Sequence, residues 1–220
     1  MKKLTALLVV IVGLMTVMFT GCSNRDTFTK KTYCSGENVI KSIVFQVTDR
    51  ELEIAASEDD QIHIEYFDGE KEYLKITVSD NNELTVESES DKNWTDFVGV
   101  KPAAEYRKIQ VKIPDHSILS CSVSTTNENI SISSLSFIEG ITLDVNGGNI
   151  VFNRIGVGSA IDLTAKNGNI SGTVVGSSED FSISCSIKKG DCNLPQNKED
   201  GEKSLSANCN NGNIDIEFVG

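Results

Sequence analysis

The sequence predicts an all-β protein: a β-solenoid, a single-stranded β-helix-like stack of about 20–22-residue repeats, with an antiparallel β-sandwich as the alternative. Three observations carry this. A short turn phrase recurs five times in the second half. Apolar residues alternate with polar ones on both sides of each phrase. Gly is frequent at 17 and Pro rare at 3, which suits repeated tight turns between strands.

The phrase reads Asn127-Glu128-Asn129-Ile130, then Gly147-Gly148-Asn149-Ile150, then Asn167-Gly168-Asn169-Ile170. It returns as Lys189-Gly190-Asp191-Cys192 and Asn211-Gly212-Asn213-Ile214. The final positions lie 20, 20, 22 and 22 residues apart, a one-unit-per-repeat spacing. Nine residues before each stand Cys121, Ile141, Ile161, Ile183 and Leu205; seven before stand Val123, Leu143, Leu163, Cys185 and Ala207. Five before stand Thr125, Val145, Ala165, Ile187 and Cys209, and two after stand Ile132, Phe152, Gly172, Leu194 and Ile216. Side chains two apart share a sheet face, so these columns are expected to line one interior.

The turn positions are Asn129, Gly148, Asn149, Gly168, Asn169, Gly190, Asp191, Gly212 and Asn213. Gly supplies positive φ, and Asn or Asp tolerates turn geometry. Stacked in parallel, the Asn and Asp side chains could form a ladder. Asn-Gly is also the strongest hairpin signal, which keeps the sandwich open.

The first half alternates without a clean repeat. Its sets are Ile43, Phe45 and Val47; Leu52 and Ile54; Ile62, Ile64 and Tyr66; Leu74, Ile76 and Val78; Leu84 and Val86; and Ile109, Val111 and Ile113. Ser57–Asp60, Asp68-Gly69 and Asp80–Asn82 are turn signals between them. An insert over 88–107 holds Trp94, the only Trp, and Phe97. So long a connection is expected either to contact a partner or to cap an open flank of the strands.

The N-terminus has a charged start, Met1-Lys2-Lys3, then an uncharged run from Leu4 to Phe19, then Thr20-Gly21-Cys22. The run is shorter than the roughly 20 apolar residues of a spanning helix. It is similar to a bacterial lipoprotein signal cleaved before Cys22, which would carry the lipid; Phe19 departs from the usual Leu. The alternative is an uncleaved membrane anchor. The expected organisation is therefore a signal over 1–21, a polar tether over 22–34 and a β-strand-repeat domain over 35–220. Within that domain, 35–119 are irregular strands and 120–220 regular repeats. The membrane is the one partner this predicts, through the anchor, with the chain extracytoplasmic.

Composition narrows the function. A formal charge of −12 opposes binding to nucleic-acid phosphates. Six cysteines include no C-x-x-C, and only His63 and His116 could join them, so neither metal nor cofactor is expected. With Cys22 lipidated, Cys34, Cys121, Cys185, Cys192 and Cys209 remain, an odd count; Cys185 and Cys209 could pair across repeats. His63 lies on the polar side of its strand and His116 in a turn. No nucleophile motif accompanies them, and Asp59-Asp60 and Glu179-Asp180 read as solvated turn carboxylates. No catalytic residue and no enzymatic activity are predicted.

With these phrases in place, the chain resembles the putative-adhesin β-strand-repeat domain of bacterial envelope proteins, over roughly 39–218. The resemblance rests on the ordered Gly-Asn/Asp-Ile turns, the acidic turn between Leu52 and Tyr66, Lys92-Asn93-Trp94, and Ile109–Pro114 running into Ser124–Asn127. It implies a solenoid of strands, and adhesion to an unknown protein or glycan at the envelope. It also implies an alternative, an envelope scaffold or stress-sensing accessory. Cys185, Cys192 and Cys209 depart from the family's aliphatic positions.

Overall fold

The computed structural model describes residues 27–91 and 101–220. Cys22, Trp94 and Phe97 lie outside the described residues, as do the signal and the middle of the insert. The strands are β1 (Thr29–Cys34), β2 (Ser42–Gln46), β3 (Glu51–Ala56), β4 (His63–Asp68), β5 (Glu72–Val78), β6 (Glu83–Ser90), β7 (Lys108–Ile113), β8 (Ser120–Thr125) and β9 (Ile130–Ser133). They continue as β10 (Ser136–Phe137), β11 (Gly140–Gly147), β12 (Ile150–Val157), β13 (Ala160–Asn167), β14 (Ile170–Val175), β15 (Phe181–Lys189), β16 (Asn197–Lys198), β17 (Lys203–Asn211) and β18 (Ile214–Val219). The insert is shorter than expected, since Ser88–Ser90 ends β6 and Ala104–Arg107 is a short 3-10 helix. Among the described residues no helix is long and apolar enough to cross a membrane.

Two mixed sheets hold these strands. The first runs β1-β4-β7-β3-β9-β12-β14-β18, with β10 beside β12; the second runs β16-β15-β17-β13-β11-β8-β2-β6-β5. Each repeat but the fourth gives one strand to each sheet, with the turn phrase between. Equivalent residues of neighbouring repeats pair in parallel: Leu143 lies beside Val123 and Leu163, and Ile150 beside Ile130 and Ile170. An antiparallel arrangement of repeats would not produce these registers.

The predicted columns line a shared interior. Leu143, Val145, Ile150 and Ile161 are fully buried. The exceptions are Gly172, Ile187 and Leu194, which are only half-buried. Thr125, the one polar member, donates its hydroxyl to the Arg50 carbonyl at 2.7 Å, so its burial leaves no hydroxyl unsatisfied.

Three expectations need correction. First, Thr29–Cys34 is not tether but strand, antiparallel to β4. Alternating Tyr33 buries its ring while Lys30 and Lys31 reach Glu65 and Asp68, both at 2.8 Å. Lysine on an outermost strand also discourages pairing with another chain. Second, the first half is not irregular. Strand β2 pairs with β8 and β3 with β9, both parallel, placing Ile43 beside Cys121 and Leu52 beside Ile130. Strands β6 and β7 add another parallel unit, and the reversed pair β4 and β5 packs beyond them antiparallel. Third, Cys185 and Cys209 are not bonded; the five cysteines after Cys22 are free thiols.

The repeats are also not in chain order. Strand β17 of the fifth repeat lies between β13 of the third and β15 of the fourth. In the first sheet β18 pairs directly with β14. The fourth repeat is thus displaced to the far end, where its second side makes a Cys192–Ile214 bridge in place of a strand.

Candidate interaction surface

The turn side of the repeats is built by backbone geometry. Gly148, Gly168, Gly190 and Gly212 have φ between 130° and 153°. A Cβ on Gly168 would collide with the carbonyl oxygen of Gly148, its neighbour in the next repeat. Glycine is required there by conformation and by space. Glu128 holds this place in the first phrase, where its side chain makes an ion pair with Arg107.

The Asn and Asp residues form the expected ladder. The Asn149 N–H donates to Asn129 Oδ1, and Asn169 N–H to Asn149 Oδ1, each at 2.8 Å. Asn213 N–H donates to Asn169 Oδ1 at 2.8 Å, and Asp191 N–H to Asn213 Oδ1 at 3.0 Å. The ladder follows the spatial order of the repeats and ends on the Asp191 carboxylate. Replacing Asn169 by Ala strands the Asn213 N–H and is expected to cost about 1–3 kcal/mol, read as a lower urea midpoint with unchanged slope.

Asp49 serves this purpose in the unit that lacks Gly-Asn. Its φ is 53°, and its carboxylate accepts from Asn127 Nδ2 at 2.6 Å and Thr126 Oγ1 at 3.0 Å, with Lys101 Nζ at 3.4 Å. Partial burial works to raise its pKa, but these hydrogen bonds and Lys101 together hold it below the ordinary carboxylate value. A depressed folded pKa contributes stability above the unfolded value, lost as pH falls through the folded one. Stability is therefore expected to fall on acidification below about pH 4. A titration of the urea midpoint should show a shallower acid loss in Asp49→Asn.

Aromatic packing closes the turn end of β1, β4 and β7. Phe28 stacks on Tyr106 at 4.9 Å, and Phe67 meets the same ring edge-on at 5.4 Å. The buried Arg50 beneath donates to the Phe67 and Tyr106 carbonyls at 3.0 and 2.7 Å. The sequence reading placed capping on Trp94 and Phe97; among the described residues these three rings do it. A phenylalanine just outside the first strand was the missed signal.

Two outer faces remain. The first sheet's face is charged, with an open groove of about 800 Å³ flanked by Glu53, Asp59, His63, Glu65 and Lys112. Its groups satisfy one another. His63 Nε2 lies 2.9 Å from Asp59 Oδ1, and Lys108 Nζ lies 2.6 Å from Glu53 Oε1. Hydrogen bonds from His63, Ser57 and the Gln61 N–H hold the Asp59 carboxyl below its ordinary value. That is opposite to what a general acid needs. His116 sits apart from His63, beside Asp115 at 3.2 Å. No group of three or more His, Cys, Asp and Glu among the described residues could hold a metal ion.

The second sheet's face is hydroxyl-rich and was not singled out from the sequence. Its columns are the outward partners of the buried ones. Thr77, Thr85, Val44, Ser122, Thr142, Asp162, Ser206 and Ser184 lie in one line across eight neighbouring strands. At about 4.8 Å per strand the line is roughly 34 Å long. Beside it, Ser42, Ser120, Gly140, Ala160, Ser204 and Ser182 form a second line of small residues.

The family model described as Toastrack DUF4097 matches residues 40–218. Among solved structures, a putative cell adhesion protein from Clostridium sporogenes is 12% identical with a TM-score of 0.57, over 88% of this chain and 100% of that one. A putative adhesin from Bacteroides fragilis is 12% identical with a TM-score of 0.36, over 90% of this chain and 100% of that one. The first likeness shows a shared fold. No curated protein matches the chain.

Proposed function

The chain belongs to the Toastrack DUF4097 family, and from its fold and surfaces we propose a non-enzymatic binding or adhesion protein of the cell envelope. Its body is a β-solenoid. Its anchor is a lipid on Cys22, and the tether is short, because β1 starts at Thr29.

One observation carries the binding reading: the in-register hydroxyl face of the second sheet. Each Ser or Thr hydroxyl donates one hydrogen bond and accepts two. A flat array of them matches the hydroxyl and amide groups of an extended glycan or of a polar protein surface. Small residues at Gly140 and Ala160 keep the array open to close approach. The solenoid reading is supported by parallel pairing of equivalent residues and by the continuous ladder through Asn129, Asn149, Asn169 and Asn213. The non-enzymatic reading is supported by the mutual pairing of His63 and Asp59 and by the separate setting of His116.

A photo-crosslinker placed at Ser122 and at Ser206 on intact cells tests this. A reproducible envelope or extracellular partner, lost when Ser122 and Ser206 are both changed to Arg, is the expected result. Equal capture from a crosslinker on the first sheet at Gln110, or undiminished capture in the arginine variant, overturns the assignment to this face. Partners drawn only from the cell's own stress-response machinery would replace adhesion by scaffolding. Release of Cys22→Ala from the membrane fraction is the expected result for the anchor.

A further inference from the structure

Three cysteines gather at the far end of the repeats. Cys185 lies on β15, opposite Ala207, and Cys209 on β17, opposite Ile187. Cys192 follows the Gly190-Asp191 turn and is bridged in parallel to Ile214. Cys185 and Cys192 therefore belong to the two sides of one repeat, the fourth, and both occupy its inner columns. Among neighbouring side chains, Cys192 acts most strongly on the Cys185 thiol, ahead of Cys209. Cys209 turns elsewhere, donating to the Gly168 carbonyl at 3.4 Å. Cys192 is half-buried while Cys185 is buried, so the pair has one accessible sulfur.

The second side of this repeat is thinly paired. Its second side has no strand beside β18. It is held by the single bridge and by Asn193, whose N–H donates to the Ile214 carbonyl at 3.1 Å and whose Nδ2 donates to the Ile216 carbonyl at 2.9 Å. A covalent link between its two sides would fasten the part that pairing leaves loose.

We propose that Cys185 and Cys192 are a disulfide-forming pair that closes the fourth repeat by exchange with an external disulfide. The Cys192 thiolate attacks one sulfur of the external disulfide, forming a mixed disulfide and releasing one thiolate. Cys185 then gives its proton to solvent and attacks the Cys192 sulfur. A Cys185–Cys192 bond forms, the second external thiolate leaves, and the external disulfide has been reduced to two thiols. Burial, with Cys192 and Cys209 nearby, pushes the Cys185 thiol up to about 12. Its thiolate is scarce at neutral pH, so the second step is slow and quickens with alkali. That the reaction occurs in the cell rests on the export reading, since an oxidising compartment is needed; the chemistry itself does not.

The full chain, reduced and then incubated with oxidised glutathione, tests this by alkylation and peptide mapping. The expected product is a Cys185–Cys192 link, with Cys34, Cys121 and Cys209 never linked to either. Its rate should rise about tenfold per pH unit between neutral and mildly alkaline solution. Cys209→Ser should close at an unchanged rate, and Cys185→Ser should stop at a glutathione adduct on Cys192. A persistent adduct in the unmodified chain, a Cys192–Cys209 link, or no reaction at Cys192 would each overturn the proposal. Binding through the hydroxyl face is read separately, by crosslinking, so failure here leaves that reading standing.

Discussion

Gly168→Ala is expected to cost about 3–5 kcal/mol, combining backbone strain at positive φ with overpacking against a neighbouring strand. Its φ is 153°, and the added methyl would meet the Gly148 carbonyl oxygen and the Asn149 backbone. Neither is the movable end of a side chain. Relief requires the second and third repeats to separate, which breaks the Gly148 N–H bond to the Asn167 carbonyl at 3.0 Å and loosens the Asn149–Asn169 ladder contact. Gly36→Ala is the control. Gly36 also has positive φ, at 57°, but a Cβ there meets nothing within 4 Å. It should lose only about 1 kcal/mol. Urea unfolding of both variants checks the difference. A Gly168→Ala protein as stable as Gly36→Ala would mean that the repeats are not in close contact at the turns.

Phe45→Ala is expected to cost a similar amount, about 3–5 kcal/mol, for a different reason. Phe45 is wholly buried on β2, between Val86 of β6 and Val123 of β8. Neighbours pinned by parallel registers on both sides cannot collapse into the space left. Val44, next in sequence, points to the outer face, and Val44→Ala should change stability by no more than about 0.5 kcal/mol. Thermal unfolding distinguishes them. A small loss at Phe45 would mean that the first half packs loosely instead of sharing the interior of the later repeats.

That shared interior was legible in the sequence, though it was not read there. Ile43, Phe45, Val47, Leu52 and Ile54 stand at the same offsets around Leu52 as the later columns stand around Ile150. They escaped notice because the turn Thr48–Glu51 lacks the Gly-Asn phrase; Asp49 in left-handed geometry makes it instead. Leu84, Val86, Ile109 and Val111 repeat the pattern again, but the insert separates the two strands. Periodicity identified the strands, and turn chemistry identified only those turns that use glycine.

The candidate site was less legible. Ser122, Ser206 and Ser184 are unremarkable singly, and only strand register brings them into one line. The cysteine pair was hidden for a related reason. Cys185 and Cys209 belong to repeats that neighbour each other in chain and in space, which drew attention to that pairing. The proposed partner, Cys192, lies across a turn within one repeat. The exchange of the fourth and fifth repeats leaves almost no trace. The 22-residue spacing on either side of Cys192, against 20 elsewhere, is the only irregularity that accompanies it.

That exchange has a consequence for how the chain must be assembled. A simple array of repeats can grow from one end, each unit condensing on the last as synthesis delivers it. Here β15 has no proper seat when it emerges, because its neighbour β17 is made later. The exposed side of β13 must stay vacant through the fourth repeat, although a strand of similar pattern is already at hand. Correct closure therefore waits for residues 203–219 and competes with premature docking of β15 on β13. Folding should show a slow final phase that shortens when β15 is prevented from docking early, and that is absent from the repeats laid down in chain order.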